Sequence, residues 1–282
     1  MSGAASVVVT GATSQIGVFL LPLLAGAGYS VAAVSRSAPA GAARSDGGVR
    51  WMPPGTDPGS ARFLVSCGPL SLALRYLERG ADLEKIVAFG TTSTLSKAAS
   101  PDPAERATVT AIARAEHALR ASCRERGIRL VLIRPTLVYG CGRDENLTRL
   151  LRFGERTGFI PVSMRSAGLR QPVHAQDLAG LALRALQADT GSLLEGEACG
   201  GNTLGYREMV ARAAQCGRRK IRVLPLPAWL FKTLARLAPG TNPAMVERQA
   251  RDLVFDDSKF RRLLDWNPRP FEPTPADFHP PL

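Results

Sequence analysis

The stretch Ser6-Val7-Val8-Val9-Thr10-Gly11-Ala12-Thr13-Ser14-Gln15-Ile16-Gly17 decides the fold. Its β-branched run, Ser6 to Thr10, reads as a short buried strand. Gly11 opens a tight polar turn, and the apolar residues from Ile16 to about Ala27 read as a helix. Tyr29 to Ser35 then reads as a second buried strand, which completes a βαβ unit. A turn of this kind aims backbone N–H groups outward at the positive end of a helix, where a pyrophosphate binds well. Gly17 lets the helix pack close to the sheet. Gly11, Thr13, Ser14, Gln15, Ile16 and Gly17 are therefore the candidate cofactor-binding residues of this turn.

Outward from this unit the alternation continues. Val49 to Met52, Phe63 to Ser66, Lys85 to Phe89 and Arg129 to Ile133 read as strands. Leu70 to Arg79 and Ala104 to Arg126 read as helices, the second started by Pro-Asp-Pro and closed by Gly127. Strands alternating with helices predict a parallel sheet covered on both faces. Ser37 to Ser60 is rich in Pro, Gly and Ala, and no long helix fits there. After Gly140 loops and shorter elements dominate, with helices near Gln176–Gln187, Tyr206–Gln215, Pro227–Leu237 and Ser258–Leu264. This divides the chain into a dinucleotide-binding domain, 1–140, and a smaller α/β substrate lobe, 141–282, partly interleaved with it. There is no internal repeat.

Composition narrows the class. The chain has 282 residues and a formal charge of +12, yet its arginines are scattered, and Arg218-Arg219-Lys220-Ile221-Arg222 is the one compact basic cluster. That pattern argues against nucleic acid as a partner, although charge alone would suit a nucleic acid or a membrane surface. Five widely spaced cysteines with no CxxC pair fit neither a disulfide framework nor a zinc site, so reduced thiols and a cytoplasmic location are expected. No basic leader and no run of about 18 apolar residues is present, so neither a signal peptide nor a membrane span is expected. Leu224 to Leu237 is apolar and reads as a core-packed helix rather than an interfacial one.

Arg36 follows the second strand, where a residue meets the adenosine ribose. An acidic side chain there binds the 2′-hydroxyl, whereas an arginine pairs with a 2′-phosphate. NADP is therefore expected over NAD.

Four motifs in order now carry a resemblance. They are Thr10 to Gly17, Phe89-Gly-Thr-Thr-Ser93 after the fifth strand, Arg134-Pro-Thr-Leu-Val-Tyr-Gly140 after the sixth, and Pro172-Val-His-Ala-Gln-Asp177. The tail Leu263-Leu-Asp-Trp-Asn-Pro-Arg-Pro270 adds to them. Over nearly its whole length the chain resembles the extended short-chain dehydrogenase/reductase family, the NAD-dependent epimerase/dehydratase group. The resemblance implies a Rossmann-type doubly wound parallel sheet with a smaller C-terminal substrate lobe. It implies Thr92 as the hydroxyl that polarises a substrate oxygen, and Cys67 and Pro135 among the cofactor contacts. His174 and Asp177 match a helix-starting segment, with Asp177 as a cap, and Tyr139 with Gly140 matches a structural turn. His117 reads as a packed or surface histidine.

The chain departs from that family at three places. Ser14 replaces a glycine of the phosphate turn. Pro54, within Pro53-Pro54-Gly55-Thr56-Asp57-Pro58, stands where an aspartate meets adenine, and Asp57 matches a later, helix-starting aspartate. The family's YxxxK pair, taken just ahead of Ala115-Glu116, falls on Thr110 and Arg114. An aliphatic hydroxyl is a far weaker acid than a phenol, and arginine stays charged, so the pair loses its proton chemistry while Arg114 keeps the ability to hold a ribose or phosphate. Two readings stay open. One is an NAD(P)-dependent epimerase, dehydratase or reductase acting on a small molecule such as a nucleotide-sugar. The other is a catalytically silent NADP(H)-binding structural or redox-sensing protein. A homodimer stays open for either.

Overall fold

The structure, a computed structural model, describes residues 6–36, 45–46, 48–56, 61–79, 82–237 and 247–279. The strands run β1 (Ser6–Thr10), β2 (Ser30–Val34), β3 (Ser45–Asp46), β4 (Val49–Met52), β5 (Phe63–Ser66), β6 (Lys85–Phe89), β7 (Arg129–Pro135), β8 (Val138–Tyr139), β9 (Phe159–Ser163), β10 (Leu169–Arg170), β11 (Val173–His174), β12 (Leu193–Ala198), β13 (Leu204–Gly205) and β14 (Arg222–Leu226). The helices are α1 (Gly17–Gly26), α2 (Leu70–Glu78), α3 (Ser93–Ser96), α4 (Pro103–Glu125), α5 (Leu147–Thr157), α6 (Ala175–Gln187), α7 (Tyr206–Gln215), α8 (Ala228–Leu237), α9 (Ser258–Leu264) and α10 (Pro275–Phe278).

The central sheet has the order β12-β7-β6-β5-β1-β2-β4-β3. Its first seven strands in that order are parallel, and β3 adds a short antiparallel edge. The doubly wound α/β fold expected from the strand–helix alternation is therefore present. The strand period explains the two layers. Val7 and Val9 pack on one face with α1 and α6, and Val8 packs on the other with Leu77 of α2 and Leu119 of α4. Burial on both faces is why the strands read as unbroken apolar runs.

Local chemistry sets the helix ends. Asp102 accepts the Ala104 amide at 2.8 Å and Pro103 occupies the first turn, so α4 begins there. Gly127, at φ +68°, follows its end. Lys85 is buried in β6 and donates to the carbonyls of Ala185, Leu186 and Ala188, which satisfies orphan acceptors at the end of α6.

Several elements go beyond the sequence reading. Strand β12 lies far along the chain yet pairs with β7 in the main sheet. Helix α5 and strand β9 were not anticipated, and β9 pairs in parallel with β14 as a separate two-stranded sheet. A second core forms around Tyr139, Leu151, Met209, Phe271 and Phe278. Among the described residues no helix is long and apolar enough to cross a membrane, and no His/Cys/Asp/Glu group is arranged to hold a metal.

Candidate functional site

The turn after β1 is shaped by its backbone. Gly11 adopts φ +66°, a region that side chains strain to enter. A Cβ there would also stand 2.5 Å from the Gly68 amide nitrogen and 2.8 Å from the Cys67 carbonyl carbon. The turn thus rests on the end of β5, with the Cys67 amide donating to Thr10 at 2.9 Å. Cys67 supplies backbone here. Its thiol is buried, and burial pushes its pKa far up, away from reactivity. A Cβ on Gly17 would meet the Ala12 and Gly11 carbonyl oxygens at 2.5 and 2.6 Å, so α1 sits directly on the turn.

Ser14 has a structural task. Its hydroxyl accepts the Gly17 amide at 3.1 Å, and its carbonyl accepts the Val18 amide at 3.2 Å. It therefore closes the turn that leads into α1, which glycine cannot do with a side chain. The amides of Thr13, Gln15 and Ile16 have no hydrogen-bond acceptor among the described residues. Gln15 Oε1 is buried and likewise has no donor. Such a buried acceptor costs free energy unless a bound group supplies the donor.

Two contacts fix the turn from outside. Thr13 Oγ1 hydrogen-bonds Ser35 Oγ at 2.9 Å, which ties the turn to the end of β2, and Arg36 follows there, exposed. Arg143, from the loop after β8, donates to the Thr13 carbonyl. This cation was not among the residues singled out from the sequence. It lies 130 positions from Thr13, so only the fold reveals it.

At the C-terminal ends of β6 and β7, Thr92 and Pro135 come together. The Thr92 hydroxyl donates to the Pro135 carbonyl at 3.0 Å, and the Thr92 amide donates to the same oxygen at 3.2 Å. Thr91 Oγ1 accepts the Ser93 amide. The Thr92 proton is thus held inside the protein.

Helix α4 buries Val109, Glu116, Leu119 and Cys123. Glu116 pairs with Arg134 at 2.8 Å, Arg134 also reaches Glu195 of β12 at 2.8 Å, and Arg120 bridges both carboxylates. A Cβ on Gly90 would stand 2.4 Å from Glu116 Oε1, so the glycine after β6 makes room for this carboxylate. Arg134 of the Arg134-Pro135 motif therefore joins helix and sheet. Thr110 and Arg114 share a face, as their spacing requires, and that face is exposed. His117 is exposed as well.

The segment around His174 departs from expectation. His174, not Asp177, caps α6, because its Nδ1 accepts the Gln176 amide at 3.1 Å. With Nδ1 accepting, Nε2 carries the proton and donates to Asp277 at 3.0 Å. Asp177 sits in the first turn and instead binds Arg269, 2.8 Å away. Burial would raise the Asp277 carboxyl, but hydrogen bonds from His174 and Thr274 outweigh it and hold the group below its ordinary range. Tyr139 is buried edge-on against His174 and Phe271, and burial, with Asp277 close by, pushes its phenol well up. That agrees with a structural turn. Pro54 lies in the turn after β4, where the Gly55 carbonyl accepts Arg79 at 3.0 Å, and Asp57 lies outside the described residues. The five cysteines are free and buried.

No family model matches the chain. A UDP-glucose 4-epimerase from Vibrio cholerae is 26% identical over 154 residues, 55% of this chain and 46% of that protein, so the match spans about half of that relative's length. An epimerase from Methanothermobacter thermautotrophicus superposes with a TM-score of 0.74 at 14% identity, covering 98% of this chain and 91% of that one. MoeE5, in complex with UDP-glucose and NAD, superposes with a TM-score of 0.68 at 18% identity over 94% of each chain. These likenesses establish the Rossmann-type architecture over nearly the whole chain.

Proposed function

We propose that the chain binds a nicotinamide dinucleotide at the turn 11–17 and acts as an epimerase, dehydratase or reductase on a nucleotide-sugar or related carbonyl or hydroxyl substrate. One observation carries the reading. The turn sets amides with no acceptor among the described residues at a helix N-terminus, beside Gln15 Oε1, which has no donor among them, and a dinucleotide brings both anionic oxygens and donor hydroxyls. The residues present fit the group. Thr13, Gln15 and Ile16 would bind the pyrophosphate through their amides. The Ser14 hydroxyl accepts from Gly17 and keeps its own proton to donate. Arg143 adds a positive charge from the other side of the turn. Arg36 would pair with a 2′-phosphate, so the proposal includes NADP over NAD. The NAD and UDP-glucose held by MoeE5 support the cofactor and substrate classes. A reducing cytoplasm suits the five free thiols.

Bound nicotinamide supplies hydride acceptance and return. In this chain Thr92 and Pro135 shape the site at the ends of β6 and β7. Thr92 can polarise a substrate oxygen only after its proton leaves the Pro135 carbonyl. A phenol is the weak point. Helix α4 contains neither tyrosine nor lysine. Burial pushes both Tyr139 and Tyr206 upward, with Arg170 only partly offsetting it at Tyr206. The proton would then come from the substrate or from water. These facts are what the second reading rests on: a silent protein that holds the cofactor without turnover.

Calorimetric titration with NADPH and with NADH tests the shared premise. Saturable binding, tighter for NADPH, is expected, and binding of neither overturns both readings. Reduced-nicotinamide absorbance across a panel of nucleotide-sugars then separates them. Turnover supports the enzyme, and binding without turnover supports the silent protein. Light scattering on the same samples reads whether two copies pair.

A further inference from the structure

The small β9–β14 sheet has an inner and an outer face. Ile160, Val162 and Val223 point inward to a core with Val210 and Ala214. The register pairs Phe159 with Arg222 and Pro161 with Leu224, so these four share the outer face. Helix α8 covers the far end of that face, where Phe231 packs on Leu226. It leaves the near end open. Phe159 is 39% exposed and Leu224 38%, and Phe153 of α5 joins them through an edge-on contact with Phe159 at 6.2 Å. Trp229, two residues from Phe231 and so on the other side of α8, is 71% exposed. The expectation of a wholly core-packed helix therefore fails at Trp229.

The charge around this patch is one-sided. Residues 147–165 and 216–237 hold ten arginines and lysines and a single carboxylate, Glu155. Glu155 already accepts the Arg218 amide at 2.8 Å, with His279 Nε2 2.9 Å away. Arg156, Lys220 and Arg222 are exposed, and Arg219 Nη2 lies 3.1 Å from where a Gly158 side chain would begin, next to Phe159. The compact basic cluster of the sequence therefore borders the exposed rings.

We propose that this face docks on an anionic phospholipid bilayer. Exposed tryptophan and phenylalanine among arginines and lysines match the layering of such an interface, with apolar groups at the acyl boundary and cations among the headgroups. The charge selects an anionic occupant, and the exposed apolar groups beside it select a bilayer. Leu224 offers no hydrogen bond to a base edge, which favours lipid over RNA. A second copy of this chain carries the same positive charge and repels it.

The test uses the full chain with vesicles of phosphatidylcholine alone or mixed with phosphatidylglycerol. Co-sedimentation with the mixed vesicles only, and a blue shift of tryptophan emission, are expected. Trp266 is buried and Trp51 is packed against the core on β4, so Trp229, the most exposed of the three tryptophans, dominates any such shift. Trp229→Ser keeps every charge and should lower partition about tenfold, the loss expected for one ring withdrawn from the interface. Lys220→Glu with Arg222→Glu should abolish it. Circular dichroism confirms that these exposed substitutions leave the fold intact. The proposal is overturned by no partition to anionic vesicles, or by partition that Trp229→Ser leaves unchanged, since net charge alone would then explain it. It is also overturned by an emission shift that appears without lipid, either with rising protein concentration or on adding an RNA homopolymer.

Discussion

The turn 11–17 carries the proposed cofactor site and helix α4 carries Thr110 and Arg114, and the two are built in opposite ways. In the turn, backbone geometry dictates residue type. Gly11 has its positive φ and its close approach to Gly68, Gly17 sits on the turn's own carbonyls, and the Ser14 hydroxyl holds the Gly17 amide. In α4, geometry dictates only the buried side, where Glu116 meets Arg134, and leaves Thr110 and Arg114 exposed. A scaffold that holds a dinucleotide is thus locked into the fold, whereas the side chains that would perform proton chemistry can change without disturbing it. Under the proposed reading, a threonine and an arginine at positions 110 and 114 are compatible with a phosphate-binding turn for that reason.

The largest expected effect lies on the buried side of α4. Arg134→Ala would leave the buried Glu116 with only the longer contact to Arg120, and removing one partner of a buried ion pair costs about 3–5 kcal/mol. Urea unfolding should show this as a large fall in midpoint with little change in slope. A loss below about 1 kcal/mol, typical of exposed pairs, would mean that α4 is not anchored through this network and would break the contrast.

Next comes Gly11→Ala. It combines a disfavoured φ with a 2.5 Å contact to backbone that has little room to shift, so about 2–4 kcal/mol should be lost together with dinucleotide affinity. Stability lost with affinity retained would show that the turn serves packing alone.

How much of this was legible follows the same division. The turn, the parallel sheet and α4 were readable because each is local: a β-branched run, a glycine, an apolar period, a Pro-Asp-Pro start. Strand β12 was not, because Glu195, Gly196 and Glu197 make it look like a polar loop. Its carboxylates point at Arg134, and nothing nearby in sequence says so. The same holds for Arg143 on Thr13, and for His174 with Asp277, 103 positions apart. A cap by Asp177 was the natural local reading, since aspartate near a helix start is common. The histidine took that place because Gly140, free of a Cβ at 2.2 Å from His174 Nε2, leaves space for its ring. Long-range polar pairs are set by topology, and one sequence does not encode them in any local pattern.

The His174–Asp277 pair joins the lobe around Tyr139 to the chain's last helix, and it should be pH-dependent. Asp277 is held below its ordinary value when folded, so its contribution is fully present above the unfolded value, near pH 4, and is lost as pH falls through the lower folded value. Asp277→Ala should cost about 1–3 kcal/mol at pH 7, through the stranded His174 and Thr274 donors, and progressively less as pH falls below about 4. Unfolding titrations at pH 7 and pH 3 read the difference. An equal cost at both would show that the carboxylate's charge is irrelevant to the pair.

The smallest effect sharpens the contrast most. Thr110→Tyr with Arg114→Lys would write YxxxK back into α4 at exposed positions, so stability should move by no more than about 0.5 kcal/mol. Arg114 is two residues from Glu116 and so lies on the opposite side of the helix from the carboxylate that faces Arg134. That arrangement turns the restored lysine away from the end of β7, where Pro135 holds Thr92. Unchanged dinucleotide affinity and no gain in turnover are expected from calorimetry and nicotinamide absorbance. Hydride transfer appearing in the double variant would mean that the exposed face of α4 does line the reaction site. The wild-type chain would then lack only a phenol, not a place for one.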